Sequence, residues 1–181
     1  MRIRAFCAPG AETLVAAGRI AKGHGAIRCY VVRWFSVTVE ENLERMQTLD
    51  DAWNSQDWET FNKRHAESVA VYWPGALEPT KGRHAHHREA IEYFKTFPDN
   101  RVENRPYLTM FGQGDWTCTI AIHTGTHKGP MMGPGGKVIP PTNKKFRVEF
   151  CTVAHWNQNG EILEERLFYD LVGVMRQLGL A

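Results

Sequence analysis

Apolar residues recur every three to four positions after Thr38, as they do on the buried face of an amphipathic helix. This apolar stripe consists of Val39, Leu43, Met46, Leu49 or Asp50, and Trp53. A second, shorter helix follows Asp57, a suitable N-cap, and carries Trp58, Phe61 and His65 on one side. A third helix is predicted from His84 to Phe97, where the sequence Pro-Asp-Asn ends it. The body of the chain therefore begins with three helices.

Alternating apolar and polar residues, the pattern of β-strands, dominate the rest of the chain. Such runs cover residues 68–73, 101–111, 116–127, 146–156 and 161–169. Asn159-Gly160 is a strong hairpin signal, and Asp170 is a predicted N-cap of a closing helix that ends at Gly179. Helices followed by hairpin-connected strands predict an α+β fold. In it, a curved antiparallel sheet wraps around the N-terminal helices and forms a cone with an internal pocket.

Charge separates the start of the chain from the remainder. Residues 1–39 contain six basic residues and one acidic residue, whereas residues 40–181 carry a small excess of acid. We predict a basic N-terminal extension over residues 1–38 and one domain over residues 39–181. Three interpretations of the extension stay open: an organelle-targeting leader, residues translated from a start codon placed too far upstream, or, over residues 26–39, an added edge strand.

The overall composition argues against several classes of partner. A net charge of +2 is too small to predict nucleic-acid binding, and no apolar run approaches the roughly 20 residues of a membrane-spanning helix. The four cysteines form no Cys-x-x-Cys pair and no zinc-like spacing with histidine, and we find no secretory signal. We therefore expect a cytoplasmic protein without nucleic-acid or membrane partners, with organelle targeting by the basic extension left open.

Several sequence strings, in a consistent order and spacing, resemble the SnoaL-like polyketide cyclase and ester cyclase branch of the nuclear-transport-factor-2-like (NTF2-like) superfamily. They include VYWPG at residues 71–75, FPDNRVENRPY at 97–107, TGTHKGPM at 124–131 and FYDLVGVMRQLG at 168–179. The resemblance covers about residues 40–181 and implies the same curved-sheet cone. It also implies a homodimer paired through the outer face of the sheet. The implied activity is cofactor-free acid/base catalysis on a small hydrophobic carbonyl or ester compound.

The resemblance also locates a catalytic pair that this chain lacks. Members of this branch carry an acidic residue on the last long strand and a histidine on the preceding strand, and those places fall here on Leu167 and Val153. The cyclase mechanism therefore cannot be transferred intact. A second function stays open, that of a non-catalytic small-molecule-binding or dimerisation module, and the apolar Leu167 favours it. Asp170, in the closing motif, is explained by its role as a helix cap.

Two glutamates and one histidine are the predicted proton-transfer residues. Strand alternation groups Glu149 with Val153 and groups Glu165 with Leu167, and the resemblance turns both sets toward the cavity. His86 matches a histidine that relatives carry near the cavity mouth, so it is the predicted acid/base partner. Polarity alone would instead turn both glutamates to solvent and leave His86 exposed at a helix start. If the glutamates face inward, burial raises their pKa toward that of a working base.

Aromatic residues with polar tips are the predicted substrate-binding residues. Tyr72, Trp73, Trp116 and Tyr169 offer flat apolar surface that suits a ring-shaped ligand. Packing in the core is the alternative for each of them. We expect the partner of this surface to be a small hydrophobic ligand.

Histidines cluster at positions 84, 86 and 87, at the start of the third helix. One helix cannot turn all three toward one ion, because His84 and His87 lie on one side and His86 points elsewhere. His123 and His127 are expected at the surface or in an interface. We therefore predict no metal site and no cofactor.

Overall fold

The computed structural model describes residues 37–181. The predicted N-terminal extension, with its leader or edge-strand interpretations, lies outside the described residues except for its last two positions. Residues 37 and 38 lead directly into the first helix. No helix within residues 37–181 is long and apolar enough to cross a membrane.

Four α-helices and nine strands make up the described part of the chain. The helices are α1 (Val39–Ser55), α2 (Trp58–Arg64), α3 (Arg83–Thr96) and α4 (Leu171–Leu178). The first four strands are β1 (His65–Tyr72), β2 (Thr80–Lys81), β3 (Arg101–Glu103) and β4 (Thr109–Gln113). The others are β5 (Trp116–Thr126), β6 (Met131–Met132), β7 (Val138–Ile139), β8 (Lys145–Trp156) and β9 (Ile162–Phe168).

Seven of the strands form one curved, unclosed sheet in the order β2-β1-β9-β8-β5-β3, with β4 also paired to β5. Only the β1–β9 pairing in this sheet is parallel. Strands β5 and β8 pair without interruption from Trp116 opposite His155 to Thr126 opposite Lys145. The predicted α+β fold with a curved sheet around N-terminal helices is confirmed.

Local signals explain where the helices begin and end. Thr38 and Glu41 form a capping box at the start of α1. The predicted caps Asp57 and Asp170 accept hydrogen bonds from the first turns of α2 and α4. Gly179 ends α4 with a φ of 74°, in the left-handed region that glycine enters without steric penalty.

Two predicted elements differ from those observed. His65 was predicted on the second helix, but it adopts an extended conformation at the C-cap of α2 and begins β1. The predicted strand over residues 101–111 is split into β3 and β4. Pro106 lies in the break, where a residue without an N–H cannot contribute to the ladder.

Strand β8 buries the opposite face from the one predicted. Phe146, Ala154 and Trp156 are buried in the core, whereas Glu149 is exposed. The prediction that Glu149 and Val153 turn toward the cavity is therefore wrong. Burying the larger apolar residues against the helices removes more apolar surface from water, and strand alternation then turns Glu149 outward.

Candidate functional site

Glu165 is a buried carboxylate on the inner face of β9. Its exposed fraction is 7%, and Leu167 on the same face is also buried, while Arg166 and Phe168 between and after them are exposed. Glu165 therefore faces inward, as the cavity-facing interpretation of β9 expected. Glu149, the other candidate glutamate, does not.

Two buried histidines flank Glu165. His65 Nε2 lies 3.5 Å from Glu165 Oε2, and His86 Nε2 lies 3.6 Å from the same oxygen. The exposed fractions of His65 and His86 are 0% and 3%. The cluster joins the first residue of β1, the first turn of α3 and the middle of β9, and no local sequence motif links these three positions.

Each histidine has a second polar contact behind it. His65 donates its Nδ1–H to the backbone carbonyl of Phe61 over 2.8 Å. His86 Nδ1 lies 3.5 Å from Glu89 Oε2. Glu89 in turn accepts hydrogen bonds from Trp73 Nε1–H, at 3.1 Å, and from the Thr80 hydroxyl. The rings of both histidines are therefore oriented by groups outside the cluster.

The cluster contains an ionised carboxylate beside a neutral imidazole near pH 7. Burial by itself would raise the pKa of Glu165, but the neighbouring His65 and His86 more than offset it, so the pKa is lowered. Burial lowers the pKa of His86 more than the nearby carboxylates raise it. Glu89 also has a lowered pKa, because hydrogen bonds from its neighbours outweigh the effect of burial.

A second carboxyl group, Asp50 on α1, lies in the same interior. Tyr107 donates its hydroxyl proton to Asp50 Oδ2 over 2.5 Å. Burial raises the pKa of Asp50 to about 7, with smaller increases from Glu165 and Asp51 that oppose the effect of Tyr107. Burial and the adjacent Asp50 also raise the pKa of Tyr107, which therefore stays protonated and remains a donor.

Asp50 and His65 are site residues that were absent from the predictions made on the sequence. Asp50 lies three residues before Trp53 and four after Met46, on the apolar stripe of α1. A carboxyl group on the buried face of a helix indicates a candidate site residue. His65 gave no such signal, because its position on a predicted helix suggested simple packing.

The four predicted substrate-binding aromatics are distributed over both faces of the sheet. Trp73 and Tyr169 belong to the inner side, where Trp73 stacks on Tyr93 at 6.3 Å and Tyr169 stacks on Phe150 at 5.6 Å. A cavity of about 200 Å³ at the C-terminal ends of β1 and β9 is lined by Tyr72, Trp73, Pro74, Arg166, Leu167, Phe168 and Tyr169.

The other two aromatics lie on the outer face. Tyr72 borders the rim of the cavity, where the guanidinium carbon of Arg166 lies 4.3 Å from its ring centroid. Trp116 stacks on His155, with ring centroids 4.5 Å apart, and is 38% exposed. The expectation that Trp116 shapes the interior site is therefore wrong, because the β5–β8 register turns this pair outward.

The remaining histidines divide between the surface and the core. His84 is exposed and His87 contacts Asn62, so residues 84, 86 and 87 do not converge, as their helical spacing predicted. His123 and His127 are buried within the chain, so the expectation that they lie at the surface or in an interface is wrong. Burial lowers the pKa of His123 to about 4.

The acid and histidine places implied by the resemblance do not face each other here. Leu167 pairs with Thr152, whereas Val153 pairs with Arg166 on the outer face. Glu165, two residues before Leu167, lies on the same inner face. The inner carboxylate of β9 is thus displaced by two residues from the place that the resemblance implied.

Comparisons with known proteins identify the family. The sequence model of the family described as SnoaL-like polyketide cyclase matches residues 44–178. The chain has no significant match among curated proteins.

Solved structures show the same fold at low sequence identity. A proposed SnoaL-like polyketide cyclase from Jannaschia sp. CCS1 is 22% identical, with a TM-score of 0.69 over 81% of this chain and 96% of that one. IdmH from Streptomyces antibioticus, a proposed polyketide cyclase, is 24% identical, with a TM-score of 0.63 over 77% and 99%. A Catenulispora acidiphila protein with a ketosteroid isomerase-like fold is 18% identical, with a TM-score of 0.61 over 76% and 94%. With the family model spanning most of the described domain, this chain belongs to the SnoaL-like polyketide cyclase family.

Proposed function

We propose that this protein is an acid/base enzyme of the cyclase or isomerase type, acting on a small hydrophobic carbonyl or ester compound. Asp50 is the proposed general base, and Glu165 with His86 is the proposed second proton-transfer group. The observation that carries the proposal is the partly buried Asp50 carboxyl group, which accepts the Tyr107 hydroxyl proton in a hydrogen bond and whose pKa burial raises to about 7. A general base works best when its pKa is close to the operating pH.

The two inner carboxyl groups have pKa values that are shifted in opposite directions. Burial raises that of Asp50, while the flanking histidines keep that of Glu165 low. Such a separation assigns different roles to two titratable groups in one site. Asp50 can take a proton from carbon next to a carbonyl group, and the neutral His86 ring beside Glu165 can donate a hydrogen bond to the substrate oxygen.

Partly accessible aromatic rings support a flat, apolar substrate. Trp73, Tyr93, Tyr107 and Phe150 pack against the buried core yet keep accessible surface. The cavity of about 200 Å³ beside Trp73 and Tyr169 is smaller than the roughly 300 Å³ at which typical ligand pockets begin. Asp50, Glu165 and His86 do not line this cavity, so the proposal of a compound of one or two rings rests on the aromatic side chains rather than on the cavity volume.

Glu165→Gln is expected to slow proton abstraction by at least about 100-fold, because it removes the ionised partner of His86. Hydrogen–deuterium exchange at the α-carbon of 2-tetralone, followed by NMR, measures this step without knowledge of the natural substrate. Glu149→Gln is the matched control, since Glu149 is exposed on the outer face, and its exchange rate should equal that of the wild type.

Two results would count against this assignment. Equal exchange rates in the wild type, Glu165→Gln and Glu149→Gln would remove Glu165 from the mechanism. Binding of 2-naphthol, a planar enol analogue, to a wild-type protein that exchanges no protons would favour the alternative of a non-catalytic binding module.

We also propose that two copies of the chain pair through the outer face of the sheet. Phe111, Trp116 and Phe168 are 57%, 38% and 53% exposed there. Ile120 and Val153 add partly exposed apolar surface between them. Contiguous exposed apolar surface of this kind marks interaction sites.

Phe168→Glu is expected to convert the wild-type dimer into a monomer, because it places a charge in the apolar face. Sedimentation velocity at micromolar concentration measures the change, with Glu161→Lys, at the β8–β9 turn, as a control for altered charge. A monomeric wild-type protein would contradict the proposal.

A further inference from the structure

We infer that His65, His86 and Glu165 form a binding site for a divalent transition-metal ion. One possible ligand atom from each of these residues lies within 4.8 Å of the others, and all three residues are buried. This set differs from the histidine cluster at positions 84, 86 and 87 in the sequence. It shares only His86 with them.

The spacing of the ligand atoms fits an ion better than it fits direct hydrogen bonds. The two nitrogen–oxygen distances are 3.5 and 3.6 Å, longer than the roughly 2.7–3.2 Å of a hydrogen bond. Four ligands placed tetrahedrally at about 2.1 Å from an ion are about 3.4 Å apart. The atoms around Glu165 Oε2 are thus close to the positions that a bound ion requires.

An unpartnered nitrogen provides a second, independent observation. His65 Nε2 is buried without a hydrogen-bond partner. Because His65 donates its Nδ1–H to the Phe61 carbonyl, Nε2 is the ring nitrogen that faces Glu165 Oε2. A cation bound between this nitrogen and the carboxylate would provide a partner for both buried groups.

The contacts behind the histidines match those of known metal sites. A metal-bound histidine usually directs its other ring nitrogen to a backbone carbonyl or a carboxylate, which fixes the ring. His65 has the Phe61 carbonyl in this place at 2.8 Å, while the Glu89 carboxylate lies 3.5 Å from His86 Nδ1, longer than a hydrogen bond. Trp73 holds Glu89 in turn.

The ligand set indicates which ions would bind. Two imidazoles and one carboxylate suit Zn²⁺, Co²⁺ or Fe²⁺, whereas Mg²⁺ and Ca²⁺ prefer oxygen ligands. Three protein ligands also leave a position open for water or a substrate oxygen. With His86 and Glu165 occupied as ligands, an ion here would replace this pair in polarising that oxygen while Asp50 takes the proton. That catalytic role rests on the proposed function, but ion binding itself does not.

Metal binding can be measured directly on the full chain, without a tag and after treatment with EDTA. We expect one equivalent of Co²⁺ to bind with visible absorption bands of a low-coordinate nitrogen–oxygen site, and Zn²⁺ to displace it. His86→Gln and Glu165→Gln should each weaken binding by at least about 100-fold, and Glu89→Gln by about 10- to 100-fold. His123→Gln, which changes another buried histidine, should bind as the wild type does. Mg²⁺ should not compete.

Circular dichroism establishes that each variant is folded, and the partly exposed Glu89 provides a variant that leaves the core intact. The inference is overturned if the wild type takes up neither Co²⁺ nor Zn²⁺, or if Glu89→Gln and Glu165→Gln both bind as tightly as the wild type. Metal binding without 2-tetralone exchange would refute the proposed function and leave the site intact. Exchange without metal binding would refute the metal site and leave the proposed function intact.

Discussion

Asp50→Asn is expected to slow α-proton exchange of 2-tetralone by about 100- to 10,000-fold, the range typical of losing a general base. Asparagine keeps the size of the side chain and an oxygen that can accept the Tyr107 hydrogen bond, but it cannot take a proton. The wild-type rate should increase with pH up to about 7, as Asp50 becomes ionised, and then level off.

Asp51→Asn is the matched control on the same helix. Asp51 accepts hydrogen bonds from Asn104 and Arg105, at 2.8 Å and 3.1 Å, rather than from Tyr107. The exchange rate of the Asp51→Asn variant should stay within about twofold of the wild-type rate, since exposed ion pairs contribute little to stability. A wild-type rate in Asp50→Asn, or a pH profile without a step near 7, would exclude Asp50 as the base.

The second large effect is a gain in stability from the same substitution. The ordinary pKa of an aspartate is 3.8, and burial raises that of Asp50 to about 7 in the folded protein. Between these two values the folded state binds more protons than the unfolded state, so the free energy of unfolding falls as the pH rises. A difference of about three pKa units corresponds to about 4 kcal/mol.

Asp50→Asn removes this loss of stability at high pH, because the amide is neutral at every pH. We expect the variant to be more stable than the wild type by about 3–4 kcal/mol at pH 8 and equally stable near pH 4. Urea unfolding at both pH values measures the difference, and Asp51→Asn should show no such gain at pH 8. A variant that is less stable than the wild type at pH 8 would mean that the Asp50 carboxylate is a structural group.

A catalytic role and a structural role predict opposite signs for this substitution. A residue kept for packing loses stability when it is replaced, whereas a strained functional residue gains stability and loses activity. The activity and stability measurements on Asp50→Asn therefore test the same assignment independently. If the variant is more stable and less active, misfolding does not explain the loss of activity.

Local sequence signals predicted most of the secondary structure, because those signals act between neighbouring residues. The helix stripe from Val39 to Trp53, the caps Asp57 and Asp170, and the Asn159-Gly160 turn all operate within a few positions. Their order along the chain was enough to predict an α+β fold. The resemblance then correctly identified the family.

Local signals could not predict which face of each strand is buried. Alternation divides β8 into two sets of residues but does not determine which set meets the helices. Packing of Phe146 and Trp156 into the core settled that choice and left Glu149 in solvent. On β9, Glu165 faces the interior beside Leu167. Glu165 is therefore buried, whereas Glu149, in a similar sequence pattern, is exposed.

The sequence alone therefore established the helices, most of the long strands, their order and the family, since these depend on short-range periodicity, capping and strings of matching residues. It could not assemble the site, because His65, His86 and Glu165 come from three distant segments. Those segments meet only when β1 pairs with β9 and α3 packs across them. The same packing removes much of the hydration of Asp50, and this loss, more than the charge of the adjacent Asp51, gives an ordinary aspartate the pKa of a base.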